Sequence, residues 1–178
     1  MNTDTALLVI DVQAGVVGDA AYHREEVLSN IKLLLERARS SGTPVIYVQH
    51  NDRWMEVGTP DWEILPAVKP HAGEPAIRKE APDSFHETRL QEELAAHGIK
   101  RLVIAGAQTQ ICIDSTVRRA VAEGYDVLLA GDAHTTDDSE TLPAEKIVAF
   151  FNETLDGFWA GEHKVKVQPA SKIQFASA

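Results

Sequence analysis

Residues 5–10, Thr-Ala-Leu-Leu-Val-Ile, form an unbroken apolar run that stops at Asp11. A run without polar alternation reads as a strand buried on both faces, the pattern of a parallel sheet covered by helices. Val27, Ile31, Leu34, Leu35 and Ala38 then recur at helical spacing, and Gly42 followed by Pro44 closes the segment, which predicts a helix over 24–40. Residues 45–49 are β-branched and aromatic and predict a second strand ending at His50. A short third strand is expected at 76–79, a helix at 85–97 with Leu90 and Leu94 inward, and a fourth strand at 102–105. Residues 111–123 read as a helix buried through Val117, Ala120 and Val121, and 125–130 as a fifth strand. Pro143 sits in the first turn of a last helix with Ile147, Val148, Phe151 and Leu155 on one face, and 165–167 reads as a sixth strand.

Strands separated by helices or long crossovers require right-handed connections. The expected fold is therefore α/β: a three-layer α/β/α sandwich around a six-stranded, mainly parallel, doubly wound sheet of order 3-2-1-4-5-6, with residues 1–178 forming one domain. Ligands bind such sheets beyond the carboxyl ends of the strands, where strand order reverses. Strands one and four are neighbours there, and just past their ends lie Asp11 and, one tight turn on, Cys112. Residues 51–75 break the alternation with four prolines, two glycines, and Trp54 and Trp62 set among charges. A segment of this length and composition is a lid or an arm to a second subunit.

Composition narrows the function. The chain has 178 residues, 44% of them hydrophobic, enough for one full core. Its net charge of −10 repels phosphate backbones and anionic lipid, so no nucleic-acid or membrane partner is expected. The apolar runs are strand-length rather than bilayer-length. One cysteine precludes an intrachain disulfide and no secretory leader pattern precedes Asp11, so the expected location is cytoplasmic. His23, His86, His97 and His163 read as surface residues. His134-Thr135-Thr136-Asp137-Asp138 follows the fifth strand and could line the crevice, but such strand-end clusters mostly cap helices and close turns, which is the reading favoured.

Cys112 is the residue to explain. A thiol is reactive as thiolate, which a helix N-terminus stabilises, although an unpaired cysteine is commonly a small buried apolar side chain. Asp11 can take the sulfur proton and return it to a leaving group, or can serve only as a turn former. The Lys79 ammonium would lower the thiol pKa if it reached both groups, but it could equally be a solvated neighbour of Arg78. Crossing two strand spacings, roughly 10 Å, demands a long side chain leaning inward.

Leu8-Val9-Ile10-Asp11-Val12-Gln13, Lys79 with Ser84-Phe85 and Thr88-Arg89-Leu90, Gly98-Ile99 before Leu102-Val103-Ile104-Ala105-Gly106, Thr109-Gln110-Ile111-Cys112, Gly124-Tyr125-Asp126-Val127 and Asp132-Ala133-His134-Thr135-Thr136 run in one register over nearly the whole chain. Together they resemble the isochorismatase-like cysteine hydrolases. The resemblance implies a catalytic triad of Asp11, Lys79 and Cys112, a cis peptide joining Ala107 to Gln108, and an oxyanion hole from the Gln108 and Cys112 backbone N–H groups. It also implies a homodimer or higher homo-oligomer and no cofactor in the chemistry. Gln13, Trp54 and Phe85 are expected near the substrate.

Two departures stand out. Where the family commonly has Ser-Ala-Phe followed by Gly-Thr, this chain has Asp83-Ser84-Phe85-His86-Glu87-Thr88. The metal-binding nicotinamidase branch has Asp-x-His plus another His, whereas this chain has His50-Asn51-Asp52 with His71 further along, so no metal is expected. True isochorismatases cleave a vinyl ether without a thiol, so Cys112 favours hydrolysis of a small carboxamide C–N bond through a thioester. The alternatives are vinyl-ether hydrolysis by Asp11 and Lys79, or a binding protein with a vestigial site.

Overall fold

All six residues of β1 (Thr5–Ile10) are buried, and their side chains divide by parity. Leu7 and Val9 enter one hydrophobic core while Ala6, Leu8 and Ile10 enter another on the opposite face of the sheet. The same division holds in β2 (Val45–His50), with Val45 and Tyr47 on one side and Ile46 and Val48 on the other. It holds again in β4 (Arg101–Ala107), through Val103 and Ala105 against Leu102 and Ile104. A two-residue side-chain period on strands buried from both sides produces two cores, which is why these runs show no polar alternation. In the computed structural model, which describes residues 4–175, α1 (Arg24–Ser40) covers the first core, and α2 (Leu90–Ala96) and α3 (Asp114–Ala122) cover the second. The first and last three residues of the expected domain lie outside the described residues.

The sheet has seven strands rather than six, in the order β3-β2-β1-β4-β5-β7-β6, with β3 spanning Ala76–Lys79, β5 Asp126–Thr135, β6 Trp159–Ala160 and β7 His163–Gln168. The expected order holds through β5, and β7 is the expected sixth strand, parallel to β5. The extra strand β6 pairs antiparallel with β7 through a tight turn in which Gly161 has φ +61°. Two residues carry no periodic signal, so nothing in the hydrophobic pattern announces it.

Three other boundaries differ from expectation. The helix expected at 85–97 begins only at Leu90, because Glu87 takes φ +52° and the Thr88 hydroxyl both donates to Ser84 O and accepts from the Leu90 N–H. The helix expected from 111 opens as a wide π turn over Thr109–Ile113 before α3. Strand β5 continues past 130 to Thr135, with a register break against β4 that sets Ile104 opposite Leu129 but Gly106 opposite His134.

Residues 51–75 fold back on their own chain. Ala14, Gly15 and Leu65 N–H groups donate to Glu63, Asp61 and Val12 carbonyls at 2.8–3.0 Å. Ile64, Leu65 and Val68 enter the core beneath α1. The segment is thus a strap packed as one wall of the site end of the sheet. The last helix, α4 (Ala144–Leu155), packs beside β5 and β7. Among the described residues no helix is long and apolar enough to cross a membrane.

Candidate active site

The site begins where β1 stops. Asp11 takes φ +52°, and its N–H donates to Val48 O at 2.9 Å. On the other side of β1, Ile10 faces Gly106 of β4, where φ is +132° and an added Cβ would fall 1.9 Å from Ile10 O. Only glycine permits this approach. One residue further on, the Ala107–Gln108 peptide bond is cis, and the π turn that follows carries Cys112. Single π turns in helices are frequent at functional sites.

Lys79 ends β3, two strands from β1, and its long side chain reaches across β2. Its Nζ lies 2.7 Å from Asp11 Oδ2, 3.2 Å from Cys112 Sγ, 3.1 Å from Ala81 O and 3.4 Å from His50 Nδ1. Asp11 and Lys79 are buried, and Cys112 is 9% exposed. The three residues expected to form a triad therefore meet in one dry cluster. His50 extends it outward, with Nε2 3.4 Å from Asp52 Oδ2.

The electrostatics differ from the expected lowered thiol pKa. Burial and then the negative charge of Asp11 push the Cys112 thiol up to about 12, with Lys79 pulling the other way. Burial also raises the Asp11 pKa, against the pull of Lys79. Burial thus raises the proton affinity of both groups, and the Lys79 ammonium opposes it at each. A lone ammonium cannot offset both the loss of water and a nearer carboxylate partner.

A cavity of about 490 Å³ opens above Cys112, bordered by Asp11, Gln108 and Ile111 at its floor and by Trp54, Met55 and Asp61 of the strap. Trp54, 72% exposed, stands at this rim. Gln13 and Phe85 do not line it. The Gln13 side chain is buried as a clamp: Nε2 donates to His50 O and Trp62 O, both at 2.9 Å, and Oε1 accepts the His50 N–H at 2.8 Å. An amide satisfied on both ends is held away from substrate and holds the strap to the end of β2. Phe85 packs in the second core beside Tyr125 and beneath Cys112. Trp62 lies half-buried under the Arg78 guanidinium.

The sequence reading missed His134 and Thr109 as site-supporting residues. His134 is not a cap: it lies buried in β5, bonded to Thr109 of the π turn and to Asn152 of α4. Asp138 does cap, accepting the Ala144 N–H at 2.7 Å. Of the metal-branch candidates, His50 and Asp52 share the cavity, but His71 lies at the amino end of β2 with Arg39 and Glu74. Among the described residues no group of three or more His, Cys, Asp or Glu side chains is placed to hold a metal ion.

Comparison with known proteins agrees with this architecture. Residues 5–155 match the Isochorismatase domain family. The chain is 34% identical over 186 residues to a streptothricin hydrolase of Streptomyces noursei, covering 97% of this chain and 71% of that protein. It is 35% identical over 168 residues to the isochorismatase family protein YddQ of Bacillus subtilis (strain 168), covering 88% and 93% respectively. The crystal structure of an isochorismatase from Pseudomonas putida KT2440 superposes with a TM-score of 0.85 at 27% identity, covering 96% of this chain and 90% of that one. The chain belongs to the isochorismatase family and is a hydrolase of that family.

Proposed function

We propose that the protein is a cysteine amidohydrolase that cleaves the C–N bond of a small carboxamide through a thioester on Cys112. The observation that carries this reading is the Lys79 ammonium, 2.7 Å from Asp11 and 3.2 Å from Cys112 in a buried cluster at the foot of a cavity. Relatives named Nicotinamidase 3 in Arabidopsis thaliana and ureidoacrylate amidohydrolase in Caulobacter segnis also support amide chemistry.

In this mechanism Asp11 takes the Cys112 proton as sulfur attacks the carbonyl carbon, so that neither an isolated thiolate nor a low thiol pKa is needed at rest. The Gln108 and Cys112 N–H groups receive the developing oxyanion, where each donor supplies on the order of 3 kcal/mol. Asp11 then passes the proton to nitrogen, the C–N bond breaks and the amine or ammonia leaves. Water, deprotonated by Asp11, attacks the thioester. The C–S bond breaks, the carboxylic acid departs and the thiol regains its proton. Lys79 keeps Asp11 ionised between the two half-reactions, and no cofactor takes part.

The test is ammonia or amine release from a panel of small carboxamides, with rapid-quench intact mass to trap an acyl adduct on Cys112. The expected result is a hydroxylamine-sensitive adduct in the wild type and no turnover in a folded Cys112→Ala variant. Turnover that survives Cys112→Ala would overturn the thioester and leave the cleavage to Asp11 and Lys79 without the thiol.

A further inference from the structure

The cavity above Cys112 is lined by carboxylates and by no lysine or arginine. Asp52 and Asp61 face it from the strap and Asp11 from its floor. The Asp11 charge is matched by Lys79 and Asp52 Oδ2 lies 3.4 Å from the His50 imidazole, which leaves Asp61 as the lining carboxylate without a charged or ionisable partner among the described residues. Asp52 is held as an anion: its Oδ1 accepts the Trp54 and Met55 N–H groups at 2.8 and 2.9 Å, bonds that keep its pKa below the usual carboxylate value. Asp61 is fixed by backbone, since its carbonyl accepts the Gly15 N–H at 2.8 Å and an added Cβ at Gly15 would lie 2.9 Å from Asp61 Cβ. Its carboxylate makes no ion pair among the described residues.

Two further observations point the same way. Asp11 Oδ1, fully buried at the floor of the cavity, has beyond the Cys112 thiol no hydrogen-bond partner among the described residues and keeps acceptor capacity for a bound molecule. At the rim, the Trp54 ring already takes a cation on its face, with the Arg53 guanidinium 3.9 Å from the ring centroid. Apart from His50 and Gln108, the rest of the lining, Gly15, Val16, Met55, Pro82 and Ile111, is apolar. The net charge of −10 adds a long-range field of the same sign, which raises the local concentration of cations at an acidic cleft.

We propose that this site selects amides bearing a protonated amine or guanidinium, which seats against Asp61 and Asp52 while the carbonyl lies over Cys112. The inference rests on the amidohydrolase reading for the bond cleaved, but the cation preference is measurable without turnover.

The first measurement is the rate of Cys112 modification by three methanethiosulfonates carrying trimethylammonium, methyl and sulfonate groups, each divided by its rate on the unfolded chain. All three attack the same thiol, so the thiolate fraction cancels from the ratios. The expected cation-to-anion preference is about tenfold or more at low salt, falling with ionic strength and falling again in Asp61→Asn and Asp52→Asn, which keep the side-chain shape. A ratio near one, or a preference for the sulfonate, overturns the proposal. The second measurement is kcat/KM for 3-aminopropanamide, butanamide and succinamate, which match in length and differ in charge. Hydrolysis of all three without preference for the cation overturns the inference and leaves the amidohydrolase reading standing. If none is hydrolysed while the reagent preference holds, cation selection stands and amide cleavage is the part that falls.

Discussion

His134 Nδ1 lies 2.9 Å from Thr109 Oγ1, and its Nε2 lies 2.9 Å from Asn152 Oδ1. Asn152 spends its amide N–H on Gly131 O, so Oδ1 must accept from Nε2–H. Nδ1 is therefore the acceptor, and the Thr109 hydroxyl donates to it. A buried neutral imidazole thus ties β5 and α4 to the first residue of the turn that carries Cys112.

Thr109→Val keeps the shape and removes the donor, stranding a buried acceptor. The expected loss is about 1–3 kcal/mol in urea unfolding. Burial also holds the His134 pKa below its ordinary 6.5. The unfolded chain then binds the extra proton first, so the stabilisation is fully present above 6.5 and is lost as pH falls from there toward the lowered folded value. His134→Gln should flatten that acid limb of the stability–pH curve. An unchanged slope would assign it to other groups.

The Cys112 thiol carries a sign test. Because the Asp11 charge raises its pKa, Asp11→Asn should move the alkylation–pH profile downward from about 12, while Lys79→Met should move it upward. Iodoacetamide labelling followed by intact mass reads both. Both variants should lose hydrolysis, Asp11→Asn by on the order of 100-fold or more for removal of a general base. Asp11→Asn would then combine a more acidic thiol with a dead enzyme.

Gly106→Ala should fail to yield a stable fold, since its Cβ would sit 1.9 Å from Ile10 O at φ +132°. The control is Gly18→Ala, where nothing lies within 4 Å, with an expected change within about 0.5 kcal/mol. Comparable soluble yields and melting temperatures for the two would contradict the close β1–β4 approach.

Gln13→Ala removes the clamp between His50 and Trp62 and leaves two carbonyls and one N–H without it. The expected cost is about 2–4 kcal/mol, with faster proteolysis confined to residues 51–62. KM should rise more than kcat falls, because the triad does not touch Gln13. A change in kcat alone would place Gln13 in the chemistry.

The apolar run of β1 made the central strand legible, and strand order then brought Asp11 and Cys112 to one point with no further information. Lys79 was legible as a question of reach, answered by a side chain long enough to cross β2. His134 was not legible, because its place depends on the register break that puts Gly106 opposite it, and hydrophobic periodicity says nothing of long-range register. Gln13 looked like a substrate contact because a polar residue beside a strand end is ambiguous until its partners are known; they proved to be backbone groups 37 and 49 residues away. The expected low thiol pKa failed for a similar reason, since the cation was visible in sequence but the depth of burial was not.

The reactive groups and the wall that meets a guest have separate roots. Asp11, Lys79 and Cys112 hang from backbone shared by both cores, whereas Trp54, Met55 and Asp61 belong to a strap that joins the first core only through Ile64, Leu65 and Val68 further along. Randomising 53–61 while sparing Gln13 and Asp52 should change what is admitted without disturbing how it is cut. Such a scaffold can diversify its clientele at constant chemistry, and the strap is the place to look for, or to engineer, new substrates.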